Sequence, residues 1–212
     1  PLCVSDDQLQ ITRYSDMVIT GPSDATICTG GTQNLSVSVS GGSGAYTYQW
    51  QQSNDGSTGW INVIGGSGAT TSNYTTAVLA SDLYYRCIVT CDCGTATSAV
   101  AHVTVVPDPY FTTSPTGATI CSGSTYTLHV VAGGGTPSLV YQWQSSSALA
   151  GPYGNVSGGS GATTPDYTTP ALSQTTYYRC RISATGNGCN TINSTGAGVY
   201  IPHISTQPVG AT

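Results

Sequence analysis

Tyr84-Tyr-Arg-Cys-Ile-Val-Thr90 alternates inward and outward side chains in the period-two pattern of a half-buried strand, and its Tyr-Tyr-Arg-Cys core returns at Tyr177–Cys180. The same offset holds on either side of it. Cys28, Trp50 and Cys87 recur as Cys121, Trp143 and Cys180, 93 positions later each time. Gly65-Gly-Ser-Gly-Ala-Thr-Thr71 returns letter for letter as Gly158–Thr164. A period near ~100 residues is one small domain, so the chain reads as two similar domains in tandem, about 17–107 and 108–202. Residues 1–16 read as the closing strand of an earlier repeat, with Cys3 where Cys93 and Cys189 stand. Residues 203–212 read as the start of a following repeat or a tail, because Gln207-Pro-Val-Gly-Ala-Thr212 matches Ser114-Pro-Thr-Gly-Ala-Thr119. The expectation is a segment of a longer array, or a subunit extended at both ends.

Within one copy, Leu35-Ser-Val-Ser-Val39 and Tyr46-Thr-Tyr-Gln-Trp50 are strands joined through a Gly-Gly turn; Tyr126-Thr-Leu-His-Val130 and Leu139-Val-Tyr-Gln-Trp143 are their counterparts. Short strands at Trp60–Val63 and Tyr74–Thr76, and a final one at Ala99–Val106, bring the number to about seven, with turn signals every 8–12 residues. Helix signals are absent. The fold class is all-β, as tandem β-sandwiches.

Composition narrows the function. The chain has no lysine and no glutamate; its charges are nine Asp and Arg13, Arg86, Arg179 and Arg181, so 6% of residues are charged against a usual ~25%. Nucleic acid is disfavoured, since phosphate neutralisation needs clustered Lys or Arg. No apolar run approaches the ~20 residues of a membrane-spanning helix, so no membrane insertion is expected. A nearly uncharged surface repels its neighbours weakly and favours side-by-side packing or short-range adhesion. Eight cysteines point to disulfides and an oxidising compartment. Zinc fits poorly: Cys91-Asp-Cys93 has one intervening residue, where structural zinc sites use two to four.

A tryptophan on the third strand and a tyrosine two residues before a cysteine on the sixth (Tyr85 before Cys87, Tyr178 before Cys180) resemble the immunoglobulin fold. The set Ile-Cys-x-Gly, Tyr-Gln-Trp-Gln, Tyr-Thr-Thr, Tyr-Tyr-Arg-Cys and Cys-Gly-Thr-Ala-Thr-Ser further resembles the Ig-like repeats of large secreted surface proteins of Bacteroidetes. That family includes adhesins and gliding-associated filaments exported by the type IX route. The resemblance implies an extracellular, cell-surface location. It also implies roles in adhesion, spacing of modules and filament building, with neighbouring copies or repeats of the same protein as partners. Trp50, Trp143, Tyr85 and Tyr178 are then core residues.

One departure concerns the bridge. An immunoglobulin disulfide needs a cysteine about thirteen positions before the tryptophan, where this chain has Val37 and Val130. Cys87 and Cys180 therefore lack their usual partner. Cys28 and Cys121 are expected instead to reach the hairpin after the sixth strand, giving Cys28–Cys93 and Cys121–Cys189, each loop worth ~2–4 kcal/mol. Cys87–Cys91 would need a bulge. Cys3 and Cys180 are left as free thiols or intermolecular bridges.

Catalytic chemistry is not expected. His102, His129 and His203 are scattered without an acid, cysteine or serine motif, and a nucleophile elbow is missing. No cofactor or metal is expected either. Asp6-Asp7, Asp24, Asp55, Asp92 and Asp108 fall near turns or junctions, without a calcium-loop signature. Trp60 and Tyr153 align between the copies and are the candidate ligand contacts, as stacking rings for surface glycans. The Gly65–Thr71 loop reads equally as a binding loop or as plain turn geometry. The sequence thus supports a non-catalytic structural or adhesive segment of a surface fibre. Its alternative is a carbohydrate-binding accessory module of a secreted polysaccharide-degrading protein.

Overall fold

The computed structural model describes residues 13–202; Cys3, Asp6-Asp7, His203 and the strand-like tail runs 9–12 and 203–206 lie outside the described residues. Among the described residues every regular element is a strand. By contact the chain forms two compact units. The first takes the described residues up to Ala25 with Thr32–Val78 and Asp82–Thr104; the second takes Thr26–Gly31, Leu79–Ser81 and the described residues from Val105.

In the first copy the long sheet runs in the order Ala25–Cys28, Ala101–Val106, Leu83–Cys91, Thr47–Ser53 and Ile61–Asn62, with Gly94–Thr97 returning on Leu83–Cys91. The alternation in the central strand explains its place. Tyr85, Cys87, Val89 and Cys91 point inward and are buried, while the residues between them are more exposed. Its register against Thr47–Ser53 puts Trp50 opposite Cys87. Opposed to this sheet, Asn34–Ser36 pairs with Asn73–Thr75 so that Leu35 meets Tyr74, and Val18–Thr20 pairs with Ser38–Ser40.

The second copy repeats the pattern. Ala118–Thr119, Ala197–Tyr200, Thr176–Ser183, Val140–Ser146 and Gly154–Asn155 form its long sheet, with Ile192–Asn193 on Thr176–Ser183. Trp143 lies opposite Cys180. Thr127–His129 pairs with Asp166–Thr168, and Tyr110–Thr113 with Val131–Gly133 through an irregularity between Phe111 and Thr113.

Trp50 and Trp143 are both 0% exposed. Around Trp143 pack Leu128, Val130, Tyr167, Tyr178, Ile182 and Val199. The residues standing in for the immunoglobulin cysteine, Val37 and Val130, are buried apolar contacts. Each core therefore closes by apolar burial, at roughly 1.5–3 kcal/mol per large side chain, without a cross-sheet bridge. Cys87 and Cys180 are buried free thiols.

The expected pairs Cys28–Cys93 and Cys121–Cys189 do not form. Cys28 is bonded to Cys189 at a Cα–Cα distance of 4.9 Å, and Cys91 to Cys93 at 5.2 Å. The reason is local. Cys28 sits in the segment Thr26–Gly31, which packs in the second unit where Cys189 lies. Cys93 sits in the two-residue turn between Cys91 and Gly94, which brings it within disulfide range of Cys91. Cys121 is left as an exposed free thiol. Cys180, expected free or bridged to another chain, is a buried free thiol here.

Candidate functional site

The features shared by both copies cluster around the buried indole. Trp50 Nε1 donates to Thr71 O at 2.9 Å, and Trp143 Nε1 donates to Thr164 O at 2.9 Å. The Trp50 and Trp143 backbone N–H groups donate to Ala69 O and Ala162 O. Tyr74 and Tyr167 stack on these indoles at 5.9 Å and donate their hydroxyls to Gly65 O and Gly158 O at 3.1 Å. The loop can come this close only because of its glycines. Gly66 and Gly159 have φ of 69° and 68°, and a Cβ on either would run into the Thr75 or Thr168 carbonyl oxygen. The repeated loop is thus the hydrogen-bonding seat of the tryptophan. Tyr74 and Tyr167 were legible only as strand residues in the sequence; the identical glycine loop beside them was their signal.

The candidate ligand rings carry a second shared arrangement. Arg86 donates Nε and Nη2 to Gln51 Oε1 at 3.0 and 2.8 Å and places Cζ 4.2 Å from the Trp60 ring centre. Arg179 donates Nε to Gln144 Oε1 at 2.9 Å and lies 4.3 Å from the Tyr153 centre. Tyr153 also donates its hydroxyl to Leu149 O. One face of each half-buried ring is therefore covered by a guanidinium of its own copy, in a cation–π contact. At most the opposite face is left for a ligand.

The histidines find acids that the sequence spacing hides. His102 Nε2 lies 3.1 Å from Asp82, and its ring stacks on Tyr84 at 4.3 Å. His129 Nδ1 lies 2.6 Å from Asp166. These are two separate pairs, one in each copy. The aspartates are likewise engaged one by one. Asp24 accepts the His102 backbone N–H, and Asp108 accepts from Asn190. Asp55 accepts from the Thr58 hydroxyl and from the backbone N–H groups of Thr58 and Ser57, which hold its carboxyl well below the usual carboxylate range. Among the described residues no group of three His, Cys, Asp or Glu is placed to hold a metal ion.

Two open grooves, each larger than a third beside Gln52 and Gly59, lie in the first unit. One, about 290 Å³, is lined by Thr20, Ser23, Asp24, Gln33 and Asn34 among others and contains no aromatic side chain. The other, about 240 Å³, runs beside Cys93 and is bordered by Tyr14, Asp16, Met17 and Thr95. The buried thiols are chemically quiet. Burial pushes Cys87 and Cys180 up to about 11, against the pull of a backbone hydrogen bond that lowers each.

Fold and site together define an all-β protein of tandem immunoglobulin-like sandwiches. A family model described as a domain of unknown function, DUF8696, matches residues 18–107 and again 112–203, and the chain belongs to that family. Among curated proteins no sequence matches it. Among solved structures it is similar to the three N-terminal domains of the bacteriophage RB49 Highly Immunogenic Outer Capsid protein, with TM-score 0.58 and 12% identity over 89% of this chain and 70% of that one. It is similar to titin domains I67–I69 in an E-to-A mutated variant, with TM-score 0.54, 13% identity and coverage of 87% and 65%. Extracellular domains 3–5 of Drosophila OTK give TM-score 0.51, 15% identity and coverage of 90% and 63%. The chain spans less than two thirds of the last two. Identities this low establish the shared fold alone.

Proposed function

We propose that this chain is a structural and adhesive segment of an extracellular, multi-domain surface fibre, without catalytic activity. One observation carries the reading: the side chains repeated between the copies are spent on holding each sandwich. The indole is tied to the glycine loop, the arginine to its glutamine and ring, and the tyrosine to the core. The disulfides fit an oxidising compartment. The similar OTK structure consists of extracellular domains, and the similar phage structure comes from an outer capsid protein. The sequence resemblance to Ig-like repeats of secreted Bacteroidetes surface proteins supplies the setting. The test is immunogold electron microscopy of intact cells with an antibody to this chain. Label along surface filaments is expected; label confined to the cell interior or to soluble secreted material contradicts the reading.

A carbohydrate-binding accessory module is the second reading. It is favoured by the half-exposed rings Trp60 and Tyr153 at equivalent places in the two copies. A glycan array decides it: retention of a glycan that Trp60→Ala or Tyr153→Ala abolishes supports it, and an array on which the wild type retains nothing removes it.

A further inference from the structure

Cys121 occupies the place in the second copy that Cys28 occupies in the first, and the surrounding turn has the same shape. Gly30 and Gly123 have φ of 85° and 83°. Gly31 donates its backbone N–H to Cys28 O at 3.0 Å, and Ser124 donates to Cys121 O at 3.1 Å. Gly30 and Gly123 donate to Leu79 O and Leu172 O, both at 2.8 Å. In the Cys28 turn this shape serves a purpose: within the second unit the turn seats on the hairpin that carries Cys189, its backbone N–H donating to Asn187 O at 2.9 Å, and the disulfide forms there. The Cys121 turn is built the same way, yet its thiol is exposed and unbonded.

The two turns differ at one residue that bears on the partner. A Cβ on Gly31 would fall 2.6 Å from the Asn187 carbonyl oxygen. Ser124 stands at that place in the second copy, so the Cys121 turn cannot seat on a hairpin shaped like the one carrying Cys189. The other cysteine hairpin is shorter: Thr97 lies 9 residues after its strand partner Ile88, whereas Asn193 lies 12 after Arg181. Its tip carries Cys93, which is exposed, while Cys91 is buried behind it. The 240 Å³ groove runs alongside Cys93.

We propose that the Cys121 turn docks on the Cys91–Gly94 hairpin of a second copy of this chain and links to it by thiol–disulfide exchange. The Cys121 thiolate attacks the sulfur of Cys93, the Cys121–Cys93 bond forms, the Cys91–Cys93 bond breaks, and the proton lost by Cys121 is taken up by Cys91. One disulfide replaces another, so no external oxidant is consumed. Each copy has one donor turn and one acceptor hairpin, so the contact is heterologous and propagates as a chain of copies. This deepens the fibre reading by naming how copies join.

The test incubates purified chain near neutral-to-alkaline pH without oxidant, then blocks free thiols and runs a non-reducing gel. A ladder at multiples of 21.6 kDa that reductant collapses is expected, with a Cys121–Cys93 cross-linked peptide by mass spectrometry. Cys121→Ser and Cys93→Ser each abolish the ladder. Mixing the two variants restores a dimer and nothing longer, because the pair supplies one thiol and one acceptor. Both positions are exposed, so folding survives the changes; Cys121→Ala repeats the donor test. A wild type that stays monomeric, or a ladder that persists in Cys121→Ser, overturns the proposal. Surface filaments labelled on cells but built from unlinked chains overturn the exchange while leaving the fibre reading standing.

Discussion

Trp50 and Trp143 make the same hydrogen bond at the same 2.9 Å, their tyrosine partners stack at the same 5.9 Å, and each arginine covers its ring at 4.2 and 4.3 Å. The cysteines of the two copies share none of this constancy. Cys28 is buried in a bond while Cys121 is exposed and free, and Cys93 bonds its neighbour while Cys189 reaches residue 28. A repeat fixes some contacts and leaves others open. Interactions closed inside one sandwich recur wherever the sequence recurs. The fate of a cysteine at a turn depends on which other cysteine the fold brings to it, and that changes along the chain.

The sharpest way to break the constant part is to remove the indole. Trp50→Ala and Trp143→Ala each remove a wholly buried ring and leave the glycine loop without its donor, so a loss of about 3–5 kcal/mol is expected in each. Chemical denaturation followed by circular dichroism measures it. Similar losses in both copies are expected; a loss in one alone would mean that the two indole seats are not equivalent.

The variable part comes next. Cys189→Ser opens a bond between residues 161 apart, and about 2–4 kcal/mol is expected. Cys93→Ser opens a bond between residues two apart and constrains the unfolded chain far less, so its melting temperature falls less. Differential scanning calorimetry of the two variants compares them directly.

Gly66→Ala and Gly159→Ala force a side chain into a left-handed backbone facing a carbonyl oxygen, and each costs about 1–3 kcal/mol. Equal costs mean the loop does the same work in both copies; a silent substitution would return it to consideration as a binding loop.

Alkaline pH probes the two buried thiols. The Cys87 and Cys180 thiols lose their protons in the unfolded chain near 9.0 and in the folded chain near 11, because burial disfavours the thiolate. The folded state therefore holds more protons in that window, and stability falls as pH rises from 9 to 11. Cys87→Ala with Cys180→Ala flattens that part of the profile. The smallest effect belongs to Trp60→Ala and Tyr153→Ala. Each loses one partly exposed cation–π contact, at about 0.5–1 kcal/mol, seen as a slight shift in the denaturation midpoint.

The sandwich was legible because its signals are local: strand alternation, paired glycines and the fixed offset between copies survive without knowledge of what touches what. The resemblance to the immunoglobulin fold implies core places for Tyr85 and Tyr178, and both are buried. Cysteine pairing was not legible. Counting back from the last strand aligns Cys93 with Cys189, but it says nothing of the segment Thr26–Gly31 folding with the second unit. The same holds for Trp60 and Tyr153: sequence marks two aligned aromatics, and only the register opposite Gln51 and Gln144 shows why an arginine lies over each. The Asp82–His102 and Asp166–His129 pairs were hidden for the same reason, since 20 and 37 residues separate the partners.

The most direct test of the account is disulfide mapping of the native chain, with free thiols alkylated before proteolysis. In chains not yet linked to another copy, Cys28–Cys189 and Cys91–Cys93 are the predicted bonds among the described residues, with Cys87 and Cys180 recovered as thiols protected until unfolding. Cys28–Cys93 with Cys121–Cys189, or any bridge to Cys87 or Cys180, would contradict it.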